Sequence, residues 1–314
     1  MIVATPQLGK TVQQRIGNTP LVRLERVAAH LPRVQILAKA EFANPGGSVK
    51  DRAASAIVQD ALHRGELRAG SSSRARGLLD ATSGNTGIAY AMLGAAMGFK
   101  VTLCVPSNVS PERKKILAAY GAEVFWTSPN DGSDGAIRLA REMAKESPAK
   151  YFYADQYSND ANWGAHYRTT ANEIWWQTEG TLTHFVAGLG TSGTFMGTTR
   201  RLRELGDVVC VSMQPDSPFH GLEGMKHMAT AMVPAIYDAT LADRNIEMET
   251  EAAYVMAKRL AREEGLLVGV SSAANVAAAI QIGEEEAARG RDAVVVTILC
   301  DSADKYLSER FWDE

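Results

Sequence analysis

Twice in this chain an apolar run breaks into a glycine-rich turn, and the turn opens a helical pattern. The first instance is Leu78-Leu79-Asp80-Ala81-Thr82-Ser83-Gly84-Asn85-Thr86-Gly87, and the second is Phe185-Val186-Ala187-Gly188-Leu189-Gly190-Thr191-Ser192-Gly193-Thr194. Strand, turn and helix in repetition predict parallel sheets covered by helices. Each turn also exposes backbone N–H groups at a positive helix end, so each is a cradle for an anion.

A third stretch, Asn44-Pro45-Gly46-Gly47-Ser48-Val49-Lys50-Asp51-Arg52, sets a lysine where a flexible loop becomes a helix, with Ile57, Val58, Ala61 and Leu62 as its buried stripe. Lys50 is then either a solvated charge or an amine kept reactive by partial burial, able to form a Schiff base. In isolation the solvated reading prevails. Two anion cradles in the same chain favour the reactive one.

Composition narrows the partners. The 314 residues are 46% hydrophobic, enough for two domains or one large one, and the formal net charge of -3 offers no basic field for nucleic acid. The first ten residues lack the layout of a signal peptide and no apolar run has bilayer length, so a cytoplasmic chain without membrane contact is expected. Cys104, Cys210 and Cys300 lie in apolar runs and read as buried reduced thiols. The six histidines show no metal-ligand spacing, so no metal is expected.

Along the chain, Ile16 to Leu24 reads as a turn feeding a short strand, strand, turn and helix alternate from Leu78 onward, and strands are expected at Val34 to Glu41, Val101 to Val105, Glu123 to Thr127, His184 to Ala187, Val208 to Met213 and Ala293 to Leu299. Ser71 to Arg76 reads as a polar loop. Ser110 with Pro111 caps one helix, residues 129–135 read as a loop before a helix from Ala136, and Trp163 to Gln177 reads as one helix. Residues 214–240 look irregular. Thr250 is a candidate cap for a helix ending at Gly265, and Ser271 opens a long Ala-rich helix. Two α/β lobes with a cleft between them is the economical reading.

The turns admit rival guests. Gly188-Leu189-Gly190-Thr191-Ser192-Gly193 satisfies a dinucleotide fingerprint, but the acidic residue that should close the next strand, Asp216, comes late and after a proline. The hydroxyls of Thr191 and Thr194 favour a phosphate monoester instead. Thr82, Ser83, Asn85 and Thr86 could receive a substrate carboxylate or simply build a turn. Gln156 is a further polar candidate, and Ser271 is either an N-cap or a partner for a ring nitrogen. His220, Lys226 and His227 form a mildly basic group that matters only for an anionic substrate.

Taken together, these motifs resemble the cysteine synthase family of pyridoxal 5'-phosphate (PLP) enzymes, also called O-acetylserine sulfhydrylases. The resemblance runs from Gly17-Asn18-Thr19-Pro20-Leu21 through Lys50, Thr82 to Gly87 and Gly190 to Thr194 to Ser271. Pro106 to Arg113, Asp155-Gln156-Tyr157 and Cys300 to Ser308 resemble the cysteine synthase B type. The chain departs from the family pattern at Asp160-Ala161, Ala171-Asn172 and Ala273, which bears on local backbone geometry. The resemblance implies a tryptophan synthase β-subunit-like fold (fold-type II) of two three-layer α/β/α lobes. The smaller lobe would be residues 41–154, and the larger 1–40 plus 155–314.

It also implies β-replacement on an O-activated L-serine, through an α-aminoacrylate, by sulfide, thiosulfate or a carrier thiocarboxylate. Lys50 would bind the cofactor covalently, Asn85 would face its ring oxygen, Gly190, Thr191, Gly193 and Thr194 its phosphate, and Ser271 its pyridine nitrogen. Thr82, Ser83, Thr86 and Gln156 would take the substrate carboxylate, with Lys226 available to an O-phosphoserine phosphate. A homodimer is implied. Nearer rivals on the same fold are cystathionine β-synthase and serine dehydratase; remoter ones are an NAD(P)-dependent dehydrogenase and a non-catalytic member that binds a partner's carboxyl-terminal peptide.

Overall fold

The structure, a computed structural model, describes residues 9–70, 75–82 and 84–313. β1 (Leu21–Leu24) lies antiparallel on β2 (Val34–Ala40), and α1 (Lys50–His63) follows. Next come β3 (Gly77–Ala81), α2 (Asn85–Met97), β4 (Val101–Pro106), α3 (Pro111–Ala119), β5 (Glu123–Thr127), α4 (Gly132–Glu146) and β6 (Tyr151–Tyr153). α5 (Asp160–Arg168) and α6 (Thr170–Gln177) lead to β7 (His184–Gly188), α7 (Gly193–Leu205) and β8 (Val209–Pro215). β9 (Arg244–Met248), α8 (Thr250–Arg259), α9 (Val270–Ala288) and β10 (Ala293–Leu299) complete the alternation.

Among the described residues the strands form two sheets, ordered β1-β2-β10-β7-β8-β9 and β5-β4-β3-β6. Apart from β1 with β2, the pairings are parallel. Alternate residues of each strand serve opposite faces. On β10, Val295 belongs to the core that holds Val276 and Ala279 of α9, whereas Val296 belongs to the core that holds Phe195 and Leu202 of α7. The smaller sheet is likewise covered twice, by Ile57 of α1 and Leu93 of α2 on one face and by Ile137 and Ala140 of α4 on the other. Each sheet is therefore the middle of three layers.

Strand order positions the site. In the smaller sheet the chain runs outward from β3 to β5 and returns beside β3 as β6; in the larger it runs outward from β7 to β9 and returns beside β7 as β10. At such a reversal the connections leave in opposite directions and open a crevice beyond the carboxyl ends of the strands. The turns after β3, β6, β7 and β10 thus face open space.

Several expectations are corrected. α4 begins at Gly132, so the loop over 129–135 shortens to a single 3-10 turn and Asp134 falls in a helical first turn, where the positive end suits an acid. The helix expected over Trp163 to Gln177 breaks at Thr169 (φ -120°), whose hydroxyl accepts from Arg52 at 3.0 Å. Thr250 is inside α8 and does not cap it; its hydroxyl accepts from the Gly221 N–H at 3.0 Å. β9, a polar strand buried only at Ile246 and Met248, had not been expected. Cys104 and Cys210 are buried, but Cys300 is only partly so. Most of the polar loop expected at Ser71 to Arg76 lies outside the described residues.

Candidate active site

The two crevices open onto one cavity of about 720 Å³, lined by Lys50, Thr82, Asn85, Thr86, Gln156, Gly190, Thr191, Thr194, Lys226 and Ser271. Gly193 is buried as the first residue of α7. Ser83 lies outside the described residues.

Lys50 is the first residue of α1 and half-buried. Among the described residues its ammonium has no hydrogen-bond or ion-pair partner. What fixes it is the buried ionic cluster beneath. Arg52 Nε meets Glu41 Oε2 at 2.7 Å, Arg52 Nη1 meets Glu173 Oε1 at 2.7 Å, and Lys39 Nζ meets Glu173 Oε2 at 2.7 Å. Burial pushes the Glu173 carboxyl up, but the bonds and charges of Arg52 and Lys39 outweigh it and hold Glu173 at about 2. The motif around Gly17 belongs to this cluster: Gly17 N–H donates to Asn44 Oδ1 at 2.8 Å, Asn18 N–H to Glu173 Oε1 at 3.0 Å, and Thr19 Oγ1 to Glu41 Oε1 at 2.7 Å. Gly46 N–H donates to Asp51, whose carboxyl burial pushes up to about 7.

In the turn after β3, Thr82 Oγ1 accepts from the N–H groups of Gly84 and Gly87 at 3.0 and 3.2 Å. Thr86 Oγ1 donates to Gln156 Oε1 at 2.8 Å, and Gln156 Nε2 donates to Ala81 O at 2.6 Å, so the two reversal partners are stitched together. Asp80, fully buried, accepts from Ala81 N–H at 2.8 Å and Gln156 N–H at 3.3 Å. Burial raises its carboxyl to about 7.

In the turn after β7, glycine is a requirement of close approach. A Cβ on Gly190 would meet Gly224 O at 2.2 Å, and one on Gly193 would meet Asn162 Oδ1 at 2.0 Å. Asn162 Nδ2 donates to Thr191 Oγ1 at 3.0 Å and to Gln156 O at 2.7 Å, tying this turn to the segment after β6. Thr194 Oγ1 lies 3.3 Å from His166 Nε2, and burial keeps that imidazole neutral by lowering it well below the usual range. Ser192 has φ 67°, and its buried hydroxyl has no partner among the described residues.

Asn85 opens α2; its Nδ2 donates to Asp301 Oδ2 at 2.7 Å and its Oδ1 accepts from Lys305 at 3.1 Å. Ser271, second in α9, has its hydroxyl beside the Cys300 thiol, which burial pushes up to about 11. Lys226 Nζ pairs with Asp134 Oδ1 at 2.9 Å.

These residues fit pyridoxal phosphate. Among the described residues the Ser192 hydroxyl has no partner and Lys50 is uncommitted, and Ser192, the Thr191 and Thr194 hydroxyls and the start of a 13-residue helix form a donor set for a phosphate.

Sequence reasoning passed over Asn162, Ser192, Asn275, Arg113 and Glu223. Asn275, which accepts from Gly188 N–H at 2.8 Å and donates to Ile298 O at 2.8 Å, carried a signal as a lone amide in the apolar run of α9. Arg113, buried at the cavity wall and paired with Glu223, carried none, since the partner is 110 residues away in an irregular stretch.

The family model for pyridoxal-phosphate dependent enzymes matches residues 12–301. The chain is 48% identical to cysteine synthase of Aquifex aeolicus over 97% of this chain and 93% of that protein. It is 42% identical to cysteine synthase B of Pseudomonas aeruginosa over 96% of this chain and 97% of that protein. The crystal structure of a cysteine synthase from Entamoeba histolytica superposes with a TM-score of 0.89 at 33% identity, covering 100% of this chain and 94% of that one. With that match the dinucleotide reading of the second turn falls away: the chain belongs to the pyridoxal-phosphate dependent enzymes, and within them to the cysteine synthase family.

Proposed function

We propose that this cavity makes L-cysteine by β-replacement on O-acetyl-L-serine, with sulfide, thiosulfate or a carrier thiocarboxylate as the sulfur source. The observation that carries the reading is Lys50, an amine without a partner among the described residues, on the wall of a cavity that two helix-start turns also line. Thr191, Ser192 and Thr194 with the amides around Gly190 and Gly193 would hold the cofactor phosphate, Asn85 its ring oxygen, Ser271 its pyridine nitrogen, and Lys50 its aldehyde carbon. When bound, the cofactor supplies the electron sink that makes the substrate Cα–H acidic and lets the β-substituent depart.

The protein's own groups do the rest. Thr82, Thr86 and Gln156, with Ser83, would grip the substrate carboxylate and so fix the direction of the Cα–H bond. Lys50 Nζ, as a free amine, would take the Cα proton as general base. Ser271 would offer a hydroxyl where a carboxylate would hold a proton on the ring nitrogen, which restrains carbanion build-up and favours β-replacement over transamination.

The reading extends to a smaller lobe of residues 41–154 against 1–40 plus 155–314, supported by the separate cores of the two sheets. It extends also to a cytoplasmic homodimer, which the family resemblance supports and sedimentation equilibrium would test. No helix among the described residues is long and apolar enough to cross a membrane.

The test is an absorption spectrum of the purified holoenzyme before and after O-acetyl-L-serine and then sulfide, with product analysis against cystathionine and pyruvate. A spectral change on the first addition, its reversal on the second, and cysteine as product are expected. Lys50→Ala should reduce turnover to background, and borohydride treatment of the wild type should fix cofactor mass on the peptide containing residue 50. Unlabelled peptide would refute the assignment.

A further inference from the structure

We propose that Asp134 sets the charge of the leaving group this cavity accepts, by cancelling the Lys226 ammonium and so disfavouring a phosphate relative to an uncharged acyl ester. The inference rests on the β-replacement reading above. Lys226 is only 6% exposed, although it lines the cavity. Its main-chain N–H donates to Leu189 O at 2.8 Å, one residue before the Gly190 turn, and its ammonium stands 5.2 Å from the centre of the Tyr157 ring, next to Gln156. That is a cation on the cavity wall, between the Gly190 turn and the Gln156-Tyr157 segment, where it would attract a charged substituent.

Asp134 removes that attraction. Its Oδ1 lies 2.9 Å from Lys226 Nζ, and its Oδ2 accepts from Met232 N–H at 3.1 Å, so the carboxylate is held from two sides. Burial raises its carboxyl, but the Lys226 bond and charge prevail and keep it ionised. A neutral ester adds no charge to this pair. A phosphate brings about two negative charges beside Asp134 and must compete for a single point-charge ammonium without a guanidinium's fork. Arg113, a further cation on the wall, is likewise engaged by Glu223.

Wild-type, Asp134→Asn, Lys226→Met and double-variant holoenzymes would be assayed with O-acetyl-L-serine and O-phospho-L-serine, each with sulfide. Asp134→Asn should raise the phospho-to-acetyl ratio of kcat/KM at least tenfold and tighten inorganic phosphate binding, by titration calorimetry, to a similar degree. Adding Lys226→Met should erase both gains. An unchanged ratio, an equal loss on both donors, or a gain that survives in the double variant would overturn the proposal. A wild type inert with both donors would instead refute the β-replacement reading, and the phosphate titration would still decide the role of Asp134.

Discussion

Arg52 illustrates how a residue buried beneath the cavity positions one that lines it. It lies two positions from Lys50 and binds Glu41 and Glu173 with both ends of its guanidinium, tying the Lys50 segment to a helix 121 residues further on. Arg52→Met should leave the buried Glu41 carboxylate without a cation and Glu173 with Lys39 alone, and lower stability by about 3–5 kcal/mol, read from urea unfolding. Arg52→Lys should restore only part of this, because an ammonium cannot serve both carboxylates in the same plane. A Met variant as stable as wild type would show that the cluster does not anchor α1.

At the level of the element, the recurring unit is a parallel strand, a tight turn and a helix whose positive end faces the cavity. The turn after β7 leaves no room for a side chain at Gly190, since the obstacle is the main-chain oxygen of Gly224. Gly190→Ala should therefore weaken pyridoxal phosphate binding at least tenfold in an absorbance titration of the apoenzyme, through displacement of the amides. Unaltered affinity would place the phosphate elsewhere. Units of this kind are legible in sequence because buried parallel strands are continuous apolar runs and their turns carry glycine. Breaks imposed from outside an element are not legible: Thr169 leaves the helix where Arg52 reaches it, and Thr250 gives its hydroxyl to Gly221.

For the whole molecule, buried titratable groups pull stability in opposite directions. Asp51 and Asp80, raised by burial to about 7, hold protons in the native state that the unfolded chain has already lost, so their contribution falls as pH rises from about 4 to 7. His166, lowered by burial, makes stability rise with pH through the ordinary imidazole range. Asp80→Asn removes one falling contribution, and between pH 5 and 8 the variant should gain on wild type by on the order of 2 kcal/mol in urea unfolding. A constant difference across that range would mean that Asp80 is ionised throughout.

The amino-acid order by itself determined the strand, turn and helix units, the two glycine-rich helix-start turns and the placement of Lys50 at a helix start, because each rests on neighbours within about ten residues. Only the tertiary structure decided which ends meet. The return of β6 beside β3 and of β10 beside β7 brings Gln156 to Thr86 and Asp301 to Asn85, and the packing of the irregular stretch after β8 against the start of α4 sets Asp134 on Lys226. Those pairings span tens to hundreds of residues, and such contacts depend on strand order and burial, which no local pattern of residues encodes.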